Sequence, residues 1–429
     1  MIGSSPSSDL SPPAFFRRGS NIGQREFTVL LAMIMATTAL SIDIMLPAFP
    51  EIREALGLAP GSTSVSGLLT AFFLGMAAAQ IPAGLLADRY GRKVVLHLGM
   101  VLYLIGAVGA LLAPSLGWML IARFVWGVGA GGPRGVSMAI VRDRYSGDQM
   151  ARVMSMVMAM FLLVPVVAPT IGSALLTVGS WQLVFGFCAV VGVALNLWAL
   201  RLPETLRPEN ERPLRIRPVL EGAMVVLRSR ETVLLGLALT AMMGSFFSYL
   251  ASAEVIIDET FGMSSAFPLI FGGVAIGMGV ANLVNGRIVE RVGMWSILRI
   301  VLRAYFVISA AMVVIAFTTG GRPSPWLFLP VLGACVATHS LATPNVNSAA
   351  MHPVGAVAGM ASALLGAISM AGGSLLGSVV DTAFDGTVRP LSIAFLASAV
   401  VALGAFRAAH RSVLIRSEPV LVLSPSVGD

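Results

Sequence analysis

The feature that most constrains this chain is a long succession of apolar runs, each about as long as a bilayer core is thick. A helix rises 1.5 Å per residue, so about 20 apolar residues cross roughly 30 Å of hydrocarbon. Runs broken by charges or turn residues fall near 27–49, 62–86, 94–113, 117–140, 152–176, 181–201, 232–255, 265–286, 295–318, 326–348, 357–380 and 390–407. With 56% hydrophobic and 11% charged residues and a mean hydropathy of +0.87, a soluble globule would lack the polar surface it needs. Hydrocarbon leaves only closed barrels and helices able to satisfy their own backbone, and runs of this length select helices. The sequence therefore predicts an all-α polytopic membrane protein of twelve transmembrane helices. Its 45 glycines suit close helix packing in lipid.

Arginine sets the expected orientation. Connections predicted on one side carry Arg89, Arg92, Lys93, Arg142, Arg144, Arg152, Arg201, Arg207, Arg287 and Arg291 among others, against Arg53, Arg322 and Arg389 on the other. The positive-inside rule then places both termini in the cytoplasm. A net charge of +7 is spread over many membrane-flanking loops, which fits anionic headgroups better than a nucleic acid. Residues 1–24 are rich in Ser and Pro and read as a disordered cytoplasmic tail, with no cleavable signal before the first span. Cys188 and Cys335 fall in separate spans and read as packing residues, with neither a disulfide nor a thiolate metal site indicated.

The longest connection, 202–231, holds Pro203, Pro208, Pro213 and Pro218 among many charges. It divides a bundle over 25–201 from a second over 232–407, leaving 408–429 as a C-terminal tail. Within it Val219, Leu220, Met224, Val225 and Leu227, with Arg217, Arg228 and Arg230, have the pattern of a short helix on the membrane surface. The two bundles echo each other. GLLADRYG at 84–91 and GRIVERVG at 286–293 both read Gly-x-aliphatic-x-acid-Arg-x-Gly at an offset of 202 residues, each just after a second span. Repeats of this kind build secondary transporters.

The string from Gly84 to Lys93 resembles the signature loop of the major facilitator superfamily, and Gly286–Gly293 resembles its degenerate second copy. The resemblance implies two pseudo-symmetric six-helix bundles and a latch on the cytoplasmic side made by Gly84, Asp88, Arg89, Gly91, Arg92, Lys93, Glu290 and Arg291. The glycines are expected to let helix ends approach closely, and Asp88 to bond at a helix terminus or pair with an arginine. A plain topogenic basic loop is the alternative. SIDIMLPAFPEI (41–52), RFVWGVGAGGPRGVSMAIVRD (123–143) and VPVVAPTIGS (164–173) are similar to drug:proton antiporters of the bicyclomycin-resistance group. That likeness implies proton-coupled export and an antiporter motif in the fifth span, Pro165, Pro169 and Gly172, with Ala168 where the family commonly has glycine.

Ionisable residues inside spans are costly and are functional candidates. Asp43 lies about 16 residues, or roughly 24 Å, into the first span, and Arg123 reaches a similar depth in the fourth. The two are expected to pair, Asp43 as the protonatable site and Arg123 tuning it, since a nearby cation and burial pull such an acid in opposite directions. A permanent structural ion pair is the alternative. Arg134 follows Arg123 by about three helical turns on nearly the same face, suited to an anionic substrate group or to bonding carbonyls. Glu254, where the family motif has proline, is either a second titratable group or a solvated mouth residue. By position, Phe246, Tyr249 and Asn345 join Arg134 and Glu254 as the expected substrate cavity, with Phe247 and Asn347 beside them.

Other patterns carry less. GVGAGG at 127–132 fits a dinucleotide turn but lies in an apolar span without a preceding strand; Gly127 and Gly131 there suit helix contact instead. No Walker-type loop, no His-Glu-x-x-His spacing and no catalytic constellation is present. Five methionines between Met150 and Met160 read as packing or as an adaptable lining. The sequence thus predicts no enzyme, cofactor or metal. It predicts a monomeric, proton-coupled exporter of small amphipathic compounds in the bacterial inner membrane; the alternative is a proton symporter or facilitator for a nutrient.

Overall fold

The computed structural model describes residues 22–59, 61–210, 214 and 216–417. The expected N-terminal tail, 1–24, lies almost wholly outside them, as does 418–429. Among the described residues there are no strands and twelve long helices. They are α1 Gln24–Asp43, α2 Gly67–Tyr90, α3 Arg92–Leu111, α4 Leu116–Arg144, α5 Gly147–Val178, α6 Gln182–Ala199, α7 Arg230–Val255, α8 Phe267–Val292, α9 Met294–Thr318, α10 Pro325–Met351, α11 Ala358–Thr382 and α12 Arg389–Ser417. Ten segments are long and apolar enough to cross a membrane; one of them, Pro325–Thr382, contains both α10 and α11. The remaining helix, α4, is diluted by Arg123, Arg134, Arg142, Arg144 and its glycines.

Several helices outrun the apolar runs at the arginine-rich end. α4 continues to Arg144, α8 to Val292 and α12 to Ser417, because hydropathy tracks the hydrocarbon while the helix hydrogen-bond ladder continues into polar surroundings. The first run, expected as one span over 27–49, is instead broken. α1 stops at Asp43, a 3-10 turn spans Leu46–Ala48, and a short helix follows at Phe49–Ala55. Pro47 has no N–H to continue the ladder, so Asp43 sits in the last turn of its helix. Between the bundles, the helix Ile216–Arg228 forms as expected. Gly222 lies against Met360, and Val226 packs with Val354 and Ala361.

The helices form two six-helix sets with matching contacts. In the first, α1 packs on α4, α5 and α6, α2 on α4, and α3 on α4 and α6; the second repeats each pairing with α7 to α12. The sets meet where α2 packs on α11 and α5 on α8, contacts that a two-fold axis between the halves interchanges. Side chains repeat as well. The Tyr103 hydroxyl on α3 bonds Ser41 on α1 at 2.8 Å, and the Tyr305 hydroxyl on α9 bonds Ser245 on α7 at 3.1 Å.

Close approach is concentrated on α4. A Cβ on Gly127 would strike the Phe72 carbonyl, one on Gly131 would crowd Met76, and one on Gly129 would strike the Tyr103 nitrogen. The spacing of Gly127 and Gly131 thus does bring α4 against α2. Gly84 and Gly286, expected to permit close packing, face open space. In the signature loop the glycines that matter are Gly91 and Gly293, with φ of 103° and 81°, values that a side chain strains.

Gly129→Val should cost about 1–3 kcal/mol by overpacking and lower the thermal transition in detergent, whereas Gly84→Ala should leave it unchanged or slightly raised. Equal melting of the two variants would contradict this packing account.

Candidate functional site

The signature loop is built within the first half. Asp88 in the last turn of α2 pairs with Arg92 at 2.5 Å, and the Nε of Arg92 reaches Asp143 on α4 at 3.1 Å. Glu204, from the connection after α6, accepts from the Arg92 and Lys93 main-chain N–H groups at 2.9 and 3.0 Å. A carboxylate there satisfies the open donors at the start of α3 and meets the positive end of its dipole. Lys93 is buried and its Nζ donates to the Leu200 carbonyl at 2.7 Å. Arg89 is half-buried and Arg291 exposed, while the Glu290 side chain lies outside what is described. Among the described residues no hydrogen bond or ion pair runs from this loop to the second half.

The expected pairing of Asp43 with Arg123 does not occur. Arg123 is fully buried and donates Nη1 to the Ser41 carbonyl at 3.0 Å and Nε to the Leu68 carbonyl at 3.3 Å. Its guanidinium lies 4.3 Å from the Phe72 ring centre and 4.8 Å from that of Trp126. The depth was legible, since Arg123 meets α1 two residues from Asp43, but the azimuth was not. Residues two apart on a helix point roughly 200° apart, so an arginine bound beside Ser41 lies on the far side of α1 from the acid. Arg123 instead ties α4 to the main chains of α1 and α2.

Asp43 is 4% exposed and, among the described residues, no hydrogen bond or ion pair reaches its carboxyl. It lies within electrostatic range of Tyr249 on α7, in the other half. One residue of the expected antiporter motif lies against the same turn. Gly172 of α5 packs on the Ile44 carbonyl, leaving no room for a Cβ, and Pro169 is buried while Pro165 is half-buried, both inside the continuous helix α5. The residue type at 172 thereby sets how closely α5 approaches the turn that carries the acid.

Glu254 is neither a solvated mouth residue nor part of an open lining. It is buried and ion-paired with Arg53 of the short helix Phe49–Ala55, across the two halves. The Nε of Arg53 is held by the Ser62 carbonyl at 3.1 Å. Close by, Asp381 at the end of α11 contacts the Ser66 hydroxyl at the start of α2, and Phe73 of α2 stacks on Phe247 of α7 with ring centres 3.9 Å apart. The halves are therefore bonded together at the Arg53 end, opposite the signature loop.

Of the expected cavity residues, Phe246 and Tyr249 are brought together with ring centres 6.2 Å apart. Phe246 stacks on His339 at 5.4 Å and Tyr249 on Phe271 at 5.8 Å, which makes an aromatic row of α7, α8 and α10. Asn345 does not join it. Its amide is spent on Asn285 and on the Leu341 carbonyl, both at 2.8 Å, inside the second bundle between α8 and α10. Arg134 is half-buried on α4 with its guanidinium 5.6 Å from the Phe161 ring centre on α5. Sequence reasoning missed Glu204, Arg53 and Asp381 because each lies just outside an apolar run, where charge reads as loop. Phe73, Phe271 and His339 carried no spacing signal.

Residues 31–378 match the family model of the Major Facilitator Superfamily. The chain is 28% identical over 385 residues to a bicyclomycin resistance protein homolog of Haemophilus influenzae, covering 89% of this chain and 95% of that protein. It is 28% identical over 386 residues to a chloramphenicol resistance protein of Pseudomonas aeruginosa, covering 88% of each, and 26% identical over 344 residues to the multidrug resistance protein MdtL of Escherichia coli, covering 78% and 83%. Among solved structures, a bacterial homolog of the human lysosomal transporter Spinster superposes with a TM-score of 0.68 at 17% identity, covering 92% and 99% of the two chains. The nucleoside transporter NupG gives 0.65 at 14%, covering 90% and 99%. With twelve helices in two matched bundles and a family match over most of its length, the chain belongs to the Major Facilitator Superfamily, and is a multi-pass membrane transporter, not an enzyme.

Proposed function

We propose that this transporter exports small amphipathic compounds in exchange for protons across a bacterial inner membrane, with the signature loop and both termini on the cytoplasmic side. The observation that carries the reading is Asp43, a buried acid without a cation at bonding distance among the described residues, placed where Gly172 of α5 meets the end of α1 and within electrostatic range of Tyr249 of the other half. A carboxylate closed off from water and unpaired is costly, so Asp43 holds a proton while shut and yields it when water or a competing substrate reaches it. The aromatic row beside it suits flat, partly apolar compounds. Relatives named for resistance to bicyclomycin, to chloramphenicol and to multiple drugs support drug-like cargo. The arginine bias supports the orientation, and a single chain holds both bundles, so the monomer is the working unit.

In this reading the structure is closed toward the outside by Arg53, Glu254 and the Phe73–Phe247 stack and faces the cytoplasm, where the bonds of the signature loop among the described residues lie within its own half. Gly84, Asp88, Arg89, Gly91, Arg92, Lys93, Glu290 and Arg291 would latch the cytoplasmic side in the opposite state. Gly172 packs on the turn after Asp43, Pro165 and Pro169 shape the helix that carries it, and Arg123 bonds the Ser41 carbonyl without pairing with the acid. Phe246, Tyr249 and Arg134 line the substrate path; Asn345 serves the second bundle.

Adding an exported compound to purified protein should release protons, and Asp43→Asn should abolish that release and return susceptibility of pump-deficient cells to that of cells without the transporter. Release at the wild-type level in Asp43→Asn would refute the assignment.

Breaking a buried ion pair on one side costs about 3–5 kcal/mol, so Glu254→Gln should raise labelling of an Ala251→Cys probe by a membrane-impermeant maleimide applied outside. Arg53→Glu combined with Glu254→Arg should bring it back down; labelling unchanged in all three would show that the pair does not close this end.

A further inference from the structure

Asp381 plays no part in the scheme above, yet it is 2% exposed at the junction of α2, α7 and α11. Its Oδ2 contacts the Ser66 hydroxyl, and its Oδ1 lies 3.4 Å from the Ser252 hydroxyl on α7. Each serine hydroxyl has a single hydrogen. Ser66 Oγ is 2.5 Å from the Thr63 carbonyl and Ser252 Oγ is 2.7 Å from the Ser248 carbonyl, and a carbonyl oxygen can only accept. Each hydroxyl therefore has one hydrogen for two acceptors, a main-chain carbonyl and the Asp381 carboxyl group. Either Ser66 turns its hydrogen to Asp381, or the hydrogen stays on the Thr63 carbonyl and a proton on Asp381 supplies the second bond. In the second arrangement an ionised carboxylate would set lone pairs against lone pairs.

The charges around it favour the second arrangement. The Arg53 guanidinium donates Nε to Ser62 and both terminal nitrogens to Glu254, and it acts on Asp381 only from beyond bonding distance. Among the described residues, Asp258 and Glu259 on the turn after α7 also act on Glu254, and both are acids. One buried cation thus serves two buried carboxyl groups with two more acids behind them, and a proton makes up the difference.

We propose that Asp381 is a second proton-binding site, which takes a proton from the outside water as the Arg53 end closes and returns it to that water when α2 and α11 part. The inference rests on the alternating-access reading and deepens it. Closure forms the carboxyl O–H bond, so acid outside favours the closed arrangement and would drive the empty carrier back toward the cytoplasm. Because α2 donates Ser66 and α11 donates Asp381, the proton itself forms the bond between the halves.

Infrared spectroscopy tests this on full-length protein held closed by a cross-link between cysteines at Phe73 and Phe247, whose rings stack across the halves. A carbonyl stretch of a protonated carboxyl group should be lost in Asp381→Asn, whose amide can still donate to Ser66, and shifted but kept in Ser66→Ala. Asp43→Asn should remove a different band. A spectrum unchanged by Asp381→Asn would overturn the proposal, whatever Asp43→Asn does; loss of the Asp381 band alone would uphold it and count against the role given to Asp43.

Discussion

The structure depends on one constraint: a side chain shut inside these bundles has no water to turn to, and must find its partners in the protein or give up its charge. Arg123 meets that constraint with two main-chain carbonyls and two aromatic faces. Arg53 and Glu254 meet it with each other. Tyr305, Ser245 and Ser398 close a ring of hydroxyls at 2.7–3.1 Å, and Asn345 spends its amide on Asn285. Asp43 has no such partner for its carboxyl group among the described residues, which is why we propose it as the proton carrier.

The internal two-fold gives the halves two equivalent crossings. α2 crosses α11 and α5 crosses α8, so each half offers the other two long helices about which to rock. Among the described residues the polar bonds between the halves, Arg53 with Glu254 and Ser66 with Asp381, lie at a single end. At the other end Asp88, Asp143 and Glu204 are all bonded to Arg92 within the first half, so among the described residues their rearrangement breaks no bond between halves.

Much of the fold was legible in the sequence because the bilayer imposes one length and one polarity on every span. The repeat at Gly84 and Gly286 announced the two halves, and positive φ at Gly91 and Gly293 shows what the repeat preserves. The site was read less well. Depth along a helix follows from counting residues, so Asp43 and Arg123 were placed at the right level. Azimuth depends on which neighbour each face meets, and the break at Pro47 together with the Ser41 carbonyl turned Arg123 away from the acid. Pairs such as Arg53 with Glu254, 201 positions apart, leave no trace in spacing and come only from packing the halves.

The account stands most directly on gradient-driven transport in liposomes compared with passive exchange of labelled for unlabelled substrate. If Asp43 carries the exchanged proton, its replacement by asparagine abolishes accumulation driven by an imposed pH gradient while exchange at equal pH continues. Gradient-driven accumulation at the wild-type rate in that variant would contradict the account, since the proton would then be travelling by another group.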